Sequence, residues 1–181
     1  GLSSFSQSPI LDGKVKSGEL PSVEKRLPQD PAVIEPYGKV GRYGGTVKVF
    51  DTTLQSHGGD QWMFNRSAHL ARTIPEGTKQ VPFLVKDFKW TNNYKDFTLY
   101  LREGHKWSDG EPFTADDFIF WWDHIAHNKQ LTTVPPEEWR PIALLDVEKV
   151  DKYTITFHYS KANPHIQLGN WWHIGNETPE H

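Results

Sequence analysis

TLYLREGHKWSDGEPFTADDFIFWWDHIA, residues 98–126, decides the fold because it joins a strand, a tight turn and a capped helix in one stretch. At its start, apolar Phe97, Leu99 and Leu101 alternate with more polar residues, the last of them Arg102, and this period of two predicts a half-buried strand. The Ser-Asp-Gly run at 108–110 predicts the turn, since glycine adopts positive φ without steric cost.

The helix that follows begins with a complete set of start signals. Thr114 with Asp117 three residues later has capping-box spacing, with Asp in the place of the usual Glu. Phe113 and Phe118 have the spacing of a hydrophobic staple. Asp116 lies in the first turn, where the helix dipole favours a carboxylate. These signals predict a helix that begins at residue 115.

An aromatic stripe runs along this helix. Phe118, Trp121, Trp122 and Ile125 recur at helical spacing and predict its buried face. Adjacent helical residues point in different directions, so we expect only one of Trp121 and Trp122 in the core. The other is expected at a domain junction or a site, and the same holds for the pair at 171–172.

Other segments predict a mixed α+β fold with a mainly antiparallel sheet and flanking helices. Predicted strands cover 46–50, 81–90, 97–102 and 153–159, with a turn at Asn92-Asn93 that forms a hairpin. Short helices are predicted near Trp62, over 137–145 after two prolines, and over 163–172. The serine- and proline-rich residues 1–38 predict an extended tail or linker, apart from helical spacing at Leu20, Val23 and Leu27.

Three segments carry a family resemblance: residues 43–49 (YGGTVKV), 101–117 (LREGHKWSDGEPFTADD) and 146–157 (DVEKVDKYTITF). In this order and spacing they resemble the signature regions of the family 5 extracellular solute-binding proteins. These are the peptide-, nickel- and oligosaccharide-binding components of bacterial ABC importers. The resemblance covers about residues 39–172.

The resemblance implies both architecture and function. Family members are considerably longer, so residues 39–181 are identified as the N-terminal segment of a solute-binding domain, a partial lobe of a two-lobed periplasmic binding protein-like fold. The implied function is capture of oligopeptides, or oligosaccharides, outside the cytoplasmic membrane and delivery to permease subunits by lobe closure, without catalysis. The alternative is a self-contained carbohydrate-binding or protein-interaction module, because eight tryptophans offer flat faces for a platform.

Composition limits the possible partners. Twenty basic and 23 acidic residues among 181 give a net charge of −3 with no basic stripe, which argues against nucleic acid as a partner. No apolar run approaches the roughly 20 residues that span a bilayer, so we expect no direct membrane insertion. The chain begins at Gly1 and its one methionine is Met63. A processed exported protein and a cytosolic chain trimmed for expression would both begin this way, so it is the resemblance that implies an exported protein, periplasmic or membrane-associated outside the cell, with its signal removed.

Catalytic and metal signatures are weak. His124 and His127 lie three apart beside Asp123, but no HExxH-type spacing completes a metal site. The paired carboxylates at 116–117 are explained by capping, and the Ser-Asp pair at 108–109 by turn chemistry. A hydrolase is therefore disfavoured, and we predict no catalytic residue, metal or cofactor.

The ligand site is predicted from the resemblance alone. It implies contact from the loop after the first strand, at Asp51, Thr52 and Thr53, with Trp62 following. Loops on a rigid scaffold commonly carry binding groups, and threonine hydroxyls both donate and accept hydrogen bonds. We expect the opposite lobe to supply much of the remaining pocket.

Overall fold

The chain divides into two compact units. The first comprises Gly1–Leu27 with Val33–Ala68, and the second comprises Pro28–Ala32 with His69–His181. The computed structural model describes residues 5–34, 36, 38–46, 48, 70–73, 80–132 and 144–162. The strand predicted over 46–50 lies mostly outside these residues, and the helices predicted near Trp62 and over 163–172 lie outside them.

Short helices without buried residues make up the regular structure in the described part of the first unit. They are a 3-10 turn at Pro9–Leu11, α1 at Asp12–Lys16 and α2 at Val23–Arg26. Helices of four or five residues are marginal in water on their own. Polar contacts accompany them: Lys14 pairs with Glu19 at 2.7 Å, and the Arg26 Nε donates to the Pro21 carbonyl at 3.1 Å.

The described part of the second unit contains two antiparallel sheets. A two-stranded sheet pairs β1 with β2, and a four-stranded sheet has the order β3-β4-β6-β5. The predicted α+β class with antiparallel pairing is confirmed. The strands are β1 (Ala71–Thr73), β2 (Gln80–Pro82), β3 (Val85–Thr91), β4 (Asp96–Leu101), β5 (Leu144–Asp151) and β6 (Thr154–Tyr159).

The single strand predicted over 81–90 is wrong, because the chain changes sheet within it. The β2 strand ends at Pro82, which has no N–H to donate to a ladder. The Leu70 carbonyl then accepts from the Phe83 and Val85 amides at 3.0 and 3.2 Å, and β3 begins in the larger sheet.

The hairpin predicted at Asn92-Asn93 is confirmed. Asn92, Asn93 and Tyr94 have φ angles of 49°, 52° and 62°, and the turn joins β3 to β4. Asparagine tolerates this left-handed region, which is why the dipeptide predicted the turn. The following tyrosine adopts it as well, without such a preference.

The segment at 146–157, one of the three that carry the family resemblance, lies in a second hairpin formed by β5 and β6. The helix predicted over 137–145 is wrong at its end, because Leu144 pairs with Tyr159 as the first residue of β5. Residues 133–143 lie outside the described part. Leucine is a good helix former, but pairing in a sheet overrides this weak preference.

One helix packs on the apolar face of the larger sheet. The α3 helix covers Ala115–Phe120 and continues as a π-helical turn over Trp121–Ala126. Alternate residues of β4 and β6 point at it, so that Phe97, Leu99 and Phe157 are fully buried. The core residues are Leu70, Ala71, Val85, Phe97, Leu99, Leu101, Phe113, Ala115, Phe118, Trp121, Trp122, Val147, Ile155, Phe157 and Tyr159.

Candidate functional site

The four predicted ligand residues, Asp51, Thr52, Thr53 and Trp62, lie outside the residues that the structure describes. The site described below is therefore built from other residues. The described functional region is the signature stretch at 98–126 with the segments that pack on it. Its main features are a buried arginine, a tight turn, a helix cap and a group of aromatic side chains.

A buried guanidinium is the main polar feature of the signature stretch. The alternation in β4 predicts Arg102 on the polar side, but the residue is 8% exposed. Its Nε donates to the Phe83 carbonyl at 3.0 Å and its Nη1 donates to the Asp30 carbonyl. Burial lowers the pKa of Arg102, and the Asp30 carboxylate, 3.8 Å away, opposes that shift. The prediction for Arg102 is wrong because β4 ends one residue earlier, at Leu101.

The Arg102 contacts fix the segment Pro28–Ala32 to the rest of the second unit. The Gln29 amide also donates to the Glu103 carbonyl at 3.0 Å. Gly104 has a φ of +81°, and a Cβ there would lie 3.6 Å from the Pro28 Cα. The Leu-Arg-x-Gly part of the motif is thus a scaffold that holds a distant segment of the chain. The arginine of the motif was the sequence signal that could have predicted this contact. Its partners could not be predicted from local spacing, because they are 72 and 19 residues away in sequence.

The predicted turn is a short hairpin. The Trp107 amide donates to the Glu111 carbonyl at 2.9 Å, and the Gly110 amide donates back to Trp107 at 3.0 Å. Gly110 has a φ of +102°, as predicted for a glycine that closes the turn. The Phe113 amide then donates to the His105 carbonyl at 2.9 Å and leads into the helix.

The capping box of α3 is complete. The Thr114 hydroxyl accepts from the Asp116 amide at 3.2 Å, and the Asp117 carboxylate accepts from the Thr114 amide at 2.8 Å. The side chain of Asp116 forms an ion pair with Lys149 of β5. Both carboxylates therefore have structural partners, which agrees with the prediction that they do not form an acid–base pair. The staple is present too, with the Phe113 and Phe118 ring centroids 5.6 Å apart.

Both tryptophans of the helix are in the core, which contradicts the prediction that only one is. Trp121 is 0% and Trp122 is 8% exposed. Both residues lie in the π-helical turn at Trp121–Ala126, whose wider winding rotates successive side chains by less than an α-helix does and so keeps the two rings closer to one face. The two ring centroids lie 5.9 Å apart. Sequence periodicity assumed 3.6 residues per turn and missed this change.

The helix histidines pack against neighbouring aromatic rings. His124 lies 5.0 Å from the Phe120 ring and His127 lies 4.2 Å from the Trp122 ring, centroid to centroid. Within the described part of the chain, no group of three His, Cys, Asp or Glu residues is placed to hold a metal ion. His105 is half-buried against Phe113, and burial, then the charge of Arg102, lowers its pKa.

An aromatic cavity of about 480 Å³ lies along β3 and its turn, and sequence analysis did not predict it. Trp90 forms its wall and stacks on Phe97 with the centroids 4.4 Å apart. The alternation of Phe88 and Trp90 on one face of β3 was the available signal. Its lining residues are Phe88, Lys89, Trp90, Thr91, Asn93 and Tyr94.

Comparison with known proteins agrees with the fold and with the sequence motifs. The family described as bacterial extracellular solute-binding proteins, family 5 Middle, matches residues 79–177. A periplasmic alpha-galactoside-binding protein of Rhizobium meliloti is 33% identical over 180 residues, which cover 88% of this chain and 26% of the relative. The oligopeptide-binding protein OppA of Haemophilus influenzae is 31% identical over 110 residues, 53% of this chain and 20% of that protein.

Solved structures place the chain in a larger architecture. A structure of an oligopeptide-binding protein OppA matches with a TM-score of 0.76 and 37% identity, over 91% of this chain and 25% of that one. The periplasmic binding protein MelB of Agrobacterium fabrum C58, in complex with stachyose, matches with a TM-score of 0.62 and 27% identity. This match covers 93% of this chain and 29% of MelB. These neighbours are two-lobed periplasmic binding proteins, and the chain spans about a quarter of their length.

Among the helices that the structure describes, none is long and apolar enough to cross a membrane. The family match covers more than half of the chain and includes β3 to β6 and α3. It also includes the two segments, 101–117 and 146–157, on which most of the resemblance depends. The chain belongs to the family 5 bacterial extracellular solute-binding proteins.

Proposed function

We propose that this chain is part of the substrate-binding component of a bacterial ABC importer. The component captures oligopeptides outside the cytoplasmic membrane and delivers them to permease subunits by closure of two lobes, with no bond made or broken. The main support is the match to the OppA structure along 91% of the chain at 37% identity. Relatives named as periplasmic support a location outside the cytoplasmic membrane.

The described residues of the second unit suit part of a lobe that moves as a rigid body. Lobe closure needs a stiff scaffold and a hinge elsewhere. Here the helix and sheet share one core, the capping box fixes the helix start, and Arg102 fixes a segment 72 residues away. Ligand contacts are proposed in the loop at Asp51, Thr52 and Thr53, and at Trp62.

An oligosaccharide is the second candidate ligand. It is favoured by the alpha-galactoside-binding relative, which aligns over 88% of the chain, and by the MelB structure with bound stachyose. Eight tryptophans also suit stacking on sugar rings. The two ligand classes differ in chemistry, since a peptide carries charged termini and stachyose carries none.

Calorimetric titration of the protein encoded by the complete gene, with the 181-residue chain in parallel, tests the proposal. Mixed tri- to pentapeptides and stachyose are the probes. Saturable peptide binding by the complete protein alone is expected, with a smaller radius of gyration in X-ray scattering when the lobes close. Saturable binding by the 181-residue chain itself would overturn the proposal in favour of a self-contained module.

Two variants test the proposed contacts. Asp51→Asn and Trp62→Ala should each weaken binding about tenfold, which corresponds to roughly 1.4 kcal/mol. Tyr43→Ala is the matched control, because Tyr43 is an aromatic residue that is 64% exposed and outside the proposed contacts. Wild-type affinity in Asp51→Asn and Trp62→Ala, as in Tyr43→Ala, would exclude Asp51 and Trp62 as ligand contacts.

A further inference from the structure

His158 lies between two carboxylates on the larger sheet. Its Nδ1 is 3.0 Å from the Asp96 Oδ1 and its Nε2 is 3.2 Å from the Glu148 Oε2. The three residues belong to three different strands: Asp96 to β4, His158 to β6 and Glu148 to β5. The β6 strand lies between the other two, and β5 is at the edge of the four strands that the structure describes in this sheet.

The positions of the two carboxylates favour the protonated, positively charged form of the His158 ring. A carboxylate oxygen accepts hydrogen bonds, and a neutral imidazole has one N–H donor and one acceptor nitrogen. Neutral His158 can therefore satisfy one carboxylate, while its bare nitrogen faces the other. Only the imidazolium donates from both nitrogens, so protonation completes both bonds.

We propose that Asp96, His158 and Glu148 form a proton-operated clasp that ties the edge strand β5 and the strand β4 to β6. When the ring is protonated, one side chain bridges three strands. When it is neutral, one of the two bridges is lost, and β5 is held to β6 by its backbone hydrogen bonds and packing. The sheet is then more stable in mild acid than at alkaline pH.

The other charged residues of β5 near His158 have partners of their own. Asp146 is opposite His158 in the register, but its carboxylate accepts from the Val147 amide at 2.9 Å. Lys149, also on β5, is paired with Asp116 of the helix. The facing charges are thus the two clasp carboxylates, with Asp146 as a further negative group on the same strand as Glu148.

The pH dependence follows from the balance of burial and hydrogen bonding. Burial opposes protonation of His158, but the hydrogen bonds and charges of Asp96 and Glu148 outweigh it and raise its pKa. A raised pKa means stability that is fully present below the unfolded value of about 6.5 and is lost as pH rises through the folded value. Because the His158 and Glu148 side chains are 32% and 57% exposed, salt should weaken the effect.

NMR titration of the His158 ring in the complete protein is the direct test. Asp96→Asn and Glu148→Gln should each lower its titration midpoint, and the double variant should lower it further, because burial is then unopposed. These variants keep shape while removing charge, and backbone amide shifts report whether the fold is retained. An unchanged midpoint in both single variants would overturn the proposal.

Urea unfolding at several pH values gives the second readout. The difference in unfolding midpoint between wild type and His158→Gln should shrink as pH rises from 5.5 to 8.5, and should be smaller in 1 M NaCl than in 0.05 M. His124→Gln is the control, because His124 is an exposed histidine on the helix and outside the clasp. A difference that stays constant with pH would show that His158 contributes only packing.

Discussion

The strand–turn–helix stretch at 98–126 and the N-terminal segment at 5–27 both carry helix-start signals, but only the first buries side chains. In the first, the helix presents Phe118 and Trp121 to a sheet, and both are fully buried. In the second, α1 and α2 have no buried residue, and Ile10 is 70% exposed. The difference shows that a local signal produces a strong element only where an apolar face has a partner.

The helix caps repeat this contrast. Thr114 and Ser22 both have extended backbone at an N-cap position. The Thr114 side chain takes part in a complete capping box, whereas the Ser22 side chain makes no capping hydrogen bond to the backbone. Three pairs of substitutions, each with one member in the N-terminal segment and one in the second unit, test whether this contrast also holds for the free energy of unfolding.

The largest difference is expected for core truncation. Phe157→Ala removes a fully buried ring from the central strand β6 and should lower the free energy of unfolding by about 3–5 kcal/mol. Ile10→Ala in the N-terminal segment should change it by less than about 0.5 kcal/mol, because the side chain is already in water. Urea unfolding followed by circular dichroism measures both. A comparable loss for Ile10→Ala would mean that the N-terminal segment has a core of its own.

The next pair compares two arginines. Arg102→Met should cost about 2–3 kcal/mol, because it leaves the Phe83 and Asp30 carbonyls without their donor. Arg26→Met should cost less than about 1 kcal/mol, since its bond to the Pro21 carbonyl is exposed and its bond to the Gln7 side chain is only part-buried, so water replaces both.

Arg102→Lys separates charge from geometry in the same unfolding measurements. Lysine keeps the charge but lacks the planar fork that reaches two carbonyls at once. It should recover little of the stability lost in Arg102→Met. Full recovery with lysine would show that charge alone, and not the pair of carbonyl contacts, accounts for the role of Arg102.

Sequence patterns predicted the elements whose signals are local. The alternation at Phe97, Leu99 and Leu101, the capping box at Thr114 and the hairpin at Asn92-Asn93 all depend on residues a few positions apart. Periodicity also identified the antiparallel class, because each strand carries its own period of two.

Errors occurred where distant contacts decide the structure. Burial of Arg102 depends on Asp30, and the assignment of Leu144 to a strand depends on Tyr159. The two buried tryptophans depend on a π-helical turn that no fixed period predicts. The candidate ligand residues, such as Asp51, were predicted from resemblance alone, since a binding loop has no period and its spacing is set by a ligand.

The smallest difference is expected between the two caps. Thr114→Ala removes a hydroxyl that accepts from the Asp116 amide and should cost about 1 kcal/mol, while Thr114→Ser should restore most of it. Ser22→Ala should cost no more than a few tenths, because no capping bond is lost. Amide hydrogen exchange at residues 116–118 should quicken in Thr114→Ala only. If Thr114→Ala and Ser22→Ala cost the same, the capping box would contribute no more than a serine that makes no capping bond, and core packing alone would account for the start of α3.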